Sequence, residues 1–258
     1  MSAAPILDRM RAGRPAIGLT VRLTRSGEIA RVARASGHDF VRVDLQHSLL
    51  GAEAVGHITQ TALGCGIATL VRVRSVTDPD VPALLDAGVS GIVFPDVETE
   101  EQARHCVRVC RFAPLGGRSY GGGYPLFDYR PVPPAEALPA LDAATLVVCM
   151  VESVRGLANL ERIAAVPGVD VIHLGVSDLL MSIGHAGETG HPAVAAAIDR
   201  VVEVATAHGR YAGCGGSPTV AHQAEAIRRG VRLLTTRNDL NFLVDGATAW
   251  ADALRAAS

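Results

Sequence analysis

Short runs rich in valine, isoleucine and leucine alternate along the chain with longer segments rich in alanine, leucine, arginine and glutamate. Eight apolar runs read as strands: residues 16–21, 40–44, 69–73, 91–94, 145–151, 169–175, 211–214 and 231–235. Segments 27–36, 52–65, 81–87, 98–112, 156–165, 192–208 and 220–229 read as helices between them. Gly37, Gly88 and Gly168 fall between a helical segment and the next strand, where glycine closes helices. Strict alternation of strand and helix implies a parallel sheet. Eight repeats suit a closed barrel better than an open doubly wound sheet, and no Gly-x-Gly-x-x-Gly opens the first helix. The expected fold is a single-domain (β/α)8 TIM barrel over residues 1–258, without a linker. One stretch breaks the rhythm. Residues 113–144, with Gly116, Gly117, Gly121, Gly122, Gly123, Pro131, Pro133 and Pro134, predict one long irregular loop. Loops of that length inside a compact domain are usually functional.

Composition narrows the classes. A chain of 258 residues, 48% hydrophobic and 19% charged, is the size of one such barrel and reads as a globule rather than as disorder. The net charge of −2 gives no electrostatic case for nucleic acid or an anionic membrane. No apolar run approaches the roughly 20 residues that span a bilayer. The first 15 residues lack the apolar core of a signal peptide, so a cytoplasmic location is expected. Cys65, Cys106, Cys110, Cys149 and Cys214 form no metal-binding pattern and read as packing residues. All 24 lysine-plus-arginine residues are arginine. Without a side-chain amine, lysine Schiff-base chemistry and lysine-bound pyridoxal phosphate are excluded.

Side chains at the C-terminal ends of barrel strands converge on one mouth. By that rule Asp44, His47, Arg72, Glu152 and Asp178 meet. Each has a plainer alternative: Asp44, Glu152 or Asp178 as a helix cap, His47 as a loop histidine, Arg72 as a surface arginine. Together they favour a site. A carboxylate at the end of a buried strand is costly unless paired, and a divalent cation is the simplest partner for Glu152 and Asp178. Two carboxylates without histidine or thiolate suit Mg²⁺ or Mn²⁺, with Co²⁺ a further candidate. Such an ion acts as a Lewis acid on a chelating 2-oxo acid. Arg72 would offset charge on an enolate oxygen, and His47 would move the proton.

Asp44-Leu45-Gln46-His47, Val71-Arg72, Val151-Glu152 and Gly175-Val176-Ser177-Asp178-Leu179 resemble, in order and spacing, the HpcH/HpaI aldolases. These are metal-dependent pyruvate aldolases built on a (β/α)8 barrel. The likeness continues through Gly37-His38-Asp39-Phe40, Leu84-Leu85-Asp86-Ala87-Gly88, Ala113-Pro114-Leu115-Gly116-Gly117-Arg118 and Ile183-Gly184-His185-Ala186-Gly187. It implies Glu152 and Asp178 as metal ligands, His47 as general base, and Arg72 as the group stabilising the pyruvate enolate. The resemblance also implies that the amides of Ser177 and Asp178 hold the pyruvate carboxylate next to Gly175. Asp86 falls where the family has an acid that raises the basicity of the histidine. It reaches that position only from a neighbouring subunit, in keeping with the family's hexamers; Asp44 is the alternative within the chain. Two positions depart from the pattern. Gln46 stands where the family usually has glutamate, and Met150 where a glutamine touches substrate.

The expected activity is cleavage of a 4-hydroxy-2-oxo acid to pyruvate and an aldehyde, or the reverse condensation, in a homo-oligomer. The loop around Arg118, Tyr120 and Tyr124 is expected to influence the choice of aldehyde. Citrate-type or acyl-thioester cleavage on the same barrel is the alternative chemistry. A non-catalytic metal and oxo-acid binder is the alternative without chemistry.

Overall fold

The computed structural model describes residues 4–257, and all eight expected strands are present. They are β1 (Ala16–Val21), β2 (Phe40–Asp44), β3 (Ala68–Arg72), β4 (Gly91–Phe94), β5 (Leu146–Val151), β6 (Val171–Gly175), β7 (Tyr211–Gly215) and β8 (Leu233–Asn238). Each pairs in parallel with the next, and β8 closes on β1. Strands covered by helices on one side and by a barrel core on the other are buried on both faces. That is why β2 to β6 read as continuous apolar runs, and every residue in them is buried.

Alternate residues of each strand face opposite ways. One set, including Val41, Val71, Val147 and Ile172, packs outward in the cluster shared with the helices. The other set fills the barrel: Phe40, Leu70, Leu146, Val148, Val171 and Leu233 form its apolar lower part. Gly18 makes room there, since a Cβ at that position would lie 2.1 Å from the Phe40 ring. Higher in the barrel the inward positions turn polar, with Arg42, Asp44, Arg72 and His173 buried near the strands' C-terminal ends. The polar floor of the site is thus a property of strand parity.

The helices are α1 (Ala4–Arg11), α2 (Glu28–Ala35), α3 (Ala52–Cys65), α4 (Val81–Asp86), α5 (Glu100–Cys110), α6 (Pro134–Ala143), α7 (Val154–Ala158), α8 (Leu160–Ala165), α9 (Val176–Ser182), α10 (Pro192–Ala207), α11 (Val220–Arg229) and α12 (Asp239–Ala256). Four of these lie outside the helices expected from the sequence. Helix α1 precedes the first strand, and its Ile6 and Met10 join the inner apolar cluster. Helix α6 corrects the reading of 113–144 as one irregular loop. Pro134 stands in the first turn, where proline is tolerated, and Ala137 and Leu141 share a face that packs near Phe112 and Tyr124. Helix α9 begins at once after β6, so Val176 and Ser177 are already helical. Helix α12 leaves Phe242, Leu243, Val244, Trp250 and Leu254 exposed. All five cysteines are free and buried, as packing residues. Among the described residues no helix is long and apolar enough to cross a membrane.

Candidate active site at the barrel mouth

The residue after β5 is Glu152, which shares inward parity with Val148 and Met150 and is only 4% exposed. Its Oε1 accepts a hydrogen bond from the backbone N–H of Asp96 at 3.0 Å. Asp96, just past β4, has a positive φ of 54°. Its own Oδ2 accepts a bond from Gln46 Nε2 at 3.2 Å. Asp178 lies in the first turn of α9. Gly175 at the end of β6 is required by Glu152: a Cβ there would come within 2.2 Å of Oε2. Gln46, His47, Asp96, Glu152 and Asp178 line one cavity.

This cluster carries too much negative charge to stand alone. Burial, and then the charges of Asp96 and Asp178, push the Glu152 carboxyl up to about 7. Burial and the charges of Asp178 and Glu98 raise Asp96 as well. None of these three carboxylates has an ion-pair partner among the described residues. Oxygen donors gathered without an ion-pair partner fit a hard divalent cation.

Arginines occupy the opposite wall. Asp44 and Arg72 are direct partners across the β2–β3 ladder. Arg72 donates to Asp44 through a fork, Nε to Oδ1 at 2.9 Å and Nη2 to Oδ2 at 2.7 Å. Arg22 adds a third bond, Nε to Oδ2 at 2.6 Å. Burial opposes ionisation of Asp44. The bond from Arg72 and the charges of Arg72, Arg42 and Arg22 nevertheless hold its carboxyl far below the usual range. The same carboxylate accepts from the backbone N–H groups of Gln46 and His47. Asp44 therefore orients Arg72 and shapes the turn that presents His47. Its contact with His47 runs through the backbone and not through the imidazole.

A cavity of about 260 Å³ brings His47, Arg72, Met150, Glu152, Gly175, Ser177 and Asp178 together, with Arg22, Arg42, Gly215 and Gly216 also in its wall. Asp44 lies behind it, fully buried. Asp86 and Arg118 lie elsewhere and pair with each other, Nη2 to Oδ1 at 2.8 Å. Arg118 is buried, with its guanidinium 4.8 Å above the Phe112 ring and 5.8 Å from that of Tyr124. Within one chain, then, the 116–124 loop does not line the mouth.

Sequence reasoning missed Asp96, Arg22 and Arg42. The strand-end rule that found Glu152 also covers Asp96, two residues past β4, and Arg22, directly after β1. Arg42 is two residues before Asp44 and so shares its inward parity. A separate donor set, His185, Glu188 and His191, has its ligand atoms within 4.8 Å of one another but lines neither cavity.

A closed parallel barrel with unpaired acids facing a fixed arginine at its C-terminal mouth defines a class of carbon–carbon lyases. The chain belongs to the HpcH/HpaI aldolase/citrate lyase family, whose model matches residues 22–234. It is 31% identical over 253 residues to the 4-hydroxy-4-methyl-2-oxoglutarate aldolase cghB of Chaetomium globosum, covering 96% of this chain and 94% of that one. It is 32% identical over 255 residues to the hydroxypyruvate/pyruvate aldolase of Cupriavidus necator, covering 97% and 92%. The crystal structure of an HpcH/HpaI aldolase from Desulfitobacterium hafniense superposes with a TM-score of 0.91, at 28% identity and 96% coverage of both chains. The protein is accordingly a lyase, and the class II aldolases of its family depend on a divalent metal.

Proposed function

We propose that the protein cleaves a 4-hydroxy-2-oxo acid to pyruvate and a second carbonyl compound, or runs the reverse condensation, with a divalent metal ion. The observation that carries this reading is three acids without ion-pair partners set beside an arginine locked on Asp44, around two cavities that share His47, Glu152 and Asp178 in their walls. Glu152 and Asp178 would hold Mg²⁺ or Mn²⁺, or alternatively Co²⁺. When bound, the ion supplies Lewis-acid polarisation of the 2-oxo group.

The chain's own groups supply the rest. The first N–H groups of α9 lack helical partners, and those of Ser177 and Asp178 bind the substrate carboxylate beside Gly175. His47 accepts the 4-hydroxyl proton as the C3–C4 electron pair passes into the enolate of pyruvate and a carbonyl forms at C4. Arg72 faces the oxygen on which negative charge develops. Because Asp44 already fixes its plane, little reorganisation accompanies the reaction. A proton delivered to C3 completes pyruvate. Met150 is buried in the cavity wall and offers a thioether in place of an amide, so the substrate is held on this side by fit rather than by hydrogen bonding.

The test is direct. Metal-stripped protein should release no pyruvate from 4-hydroxy-4-methyl-2-oxoglutarate or a panel of 4-hydroxy-2-oxo acids, and Mg²⁺ or Mn²⁺ should restore release. Absence of pyruvate with every substrate and metal sinks the reading. We further propose assembly with copies of itself, hexameric by the family resemblance. The exposed apolar residues of α12 support assembly, and it would let Asp86 serve a neighbour's His47. Light scattering on the purified protein tests it, and a monomer would count against it.

A further inference from the structure

We propose that His185, Glu188 and His191 form a second metal site, on the loop joining α9 to α10, and that it takes Zn²⁺. The site goes beyond the mouth chemistry, since none of the three residues lines either mouth cavity. They lie past the far end of α9, whose first turn holds Asp178; that helix has seven residues and is about 10 Å long.

The loop's backbone brings the three side chains together. The N–H of Glu188 donates to the carbonyl of His185 at 3.1 Å, and that of His191 to the carbonyl of Glu188 at 2.8 Å. Two successive turns of the same span therefore set residues 185, 188 and 191. The loop is anchored on α9 by the His185 N–H, which donates to the Leu180 carbonyl at 2.8 Å. Gly187, at φ +84°, lets the chain reverse between the first two ligands. The imidazoles of His185 and His191 lie with ring centroids 4.0 Å apart and 30° between their planes.

The donor set selects the ion. One ligand atom from each residue lies within 4.8 Å of the others. Ligands about 2.0 Å from a tetrahedral ion are about 3.3 Å apart. His185 Nδ1 and Glu188 Oε2 already have that spacing, 3.3 Å. Among the described residues Glu188 has no other ion-pair partner. Glu188 is exposed and both histidines are partly exposed, so the side chains have room to close on an ion. Two imidazoles and one carboxylate suit Zn²⁺ and leave a position for water. The all-oxygen acids at the mouth suit a harder ion. One contact opposes binding: His191 Nδ1 accepts the Ala193 N–H at 3.2 Å and caps α10. Ligation by either ring nitrogen gives up that cap, because a metal on Nε2 leaves the proton on Nδ1. Zn²⁺ thus exchanges one hydrogen bond for three metal bonds, and ties the end of α9 to the start of α10.

The test is calorimetric titration of Zn²⁺ into the full-length protein with Mg²⁺ in excess. Wild type should show a zinc-binding step that Asp178→Asn, altered at the mouth, retains. His185→Gln, Glu188→Gln and His191→Asn should each weaken that step at least about tenfold, since losing a ligand costs no less than losing a group behind one. Asparagine at 191 keeps an acceptor for the Ala193 N–H, so the loss there reports ligation and not capping. Circular dichroism checks each fold, and if one variant unfolds the other two decide. Unchanged zinc affinity in the loop variants overturns the proposal, as does loss of all zinc binding in Asp178→Asn. Zinc binding lost in His185→Gln but kept in His191→Asn overturns the three-ligand site. Pyruvate release plays no part in these readings, so failure of the aldolase reading leaves the zinc site standing.

Discussion

Glu152→Gln should make the metal-free protein more stable at pH 8 and leave it no less stable at pH 5. Glutamine keeps the acceptor for the Asp96 N–H and removes the charge. The folded Glu152 carboxyl holds its proton to about pH 7, against an ordinary value of 4.5, because it is buried and faces Asp96 and Asp178. Between those values the folded chain binds more proton than the unfolded chain, so stability falls as pH rises. The contribution is complete below pH 4.5 and lost as pH passes through 7. At 1.36 kcal/mol per tenfold change in proton affinity, it amounts to roughly 3 kcal/mol. A divalent ion at a hundredfold excess over its Kd restores about 2.7 kcal/mol to the wild type by linkage. Urea melts at fixed protein concentration, at pH 5 and 8, with chelator or Mg²⁺, read all four corners for both proteins. Subtracting the variant's pH dependence from that of the wild type isolates Glu152 from other titrating groups. If metal-free wild type is as stable at pH 8 as the variant, or Mg²⁺ raises both equally, the electrostatic account of the site is wrong.

Arg72→Met should abolish pyruvate release and destabilise the fold by about 3–5 kcal/mol, because Asp44 stays buried with one of its two ion-pair partners gone; denaturant melts beside rate measurements check both. Arg72→Lys restores charge without the fork and should recover stability more than rate. Gly175→Ala forces a Cβ to within 2.2 Å of Glu152 Oε2, so Mg²⁺ affinity should drop about tenfold or more while the circular dichroism spectrum is kept. Asp96→Asn removes one charge facing Glu152, so the fall in stability should still begin near pH 4.5 but end at a lower pH and be smaller; calorimetry should also show Mg²⁺ affinity weakened several-fold.

The barrel was legible because its strands are buried twice over, and that burial leaves a pattern no surface strand has. The mouth residues were legible for the same reason: parity and strand ends place Arg72 and Glu152 without reference to any partner. What escaped depends on contacts distant in sequence. Helix α6 hid behind its prolines, since Pro134 is harmless only at a first turn, and the apolar pair Ala137 and Leu141 has meaning only against Phe112 and Tyr124. Helix α12 carries exposed apolar residues, so its burial pattern within one chain could not announce it. Arg118 looked like a mouth residue because its loop is glycine-rich. It folds onto Asp86 instead, a pairing over 32 residues that spacing does not reveal.

Gln46 and Asp96 together resolve the charge deficit that Gln46 alone implied. The family resemblance places glutamate before the histidine, and glutamine there removes a negative charge from the metal's surroundings. The structure supplies another from a different strand: Asp96 accepts a bond from Gln46 Nε2 and faces Glu152 and Asp178. The acid count at the mouth is thereby kept, but its position moves from the β2 turn to the end of β4. On the other side Arg22 and Arg42 add charge of the opposite sign, so the cavity has an acidic wall and a basic wall with Ser177 between them.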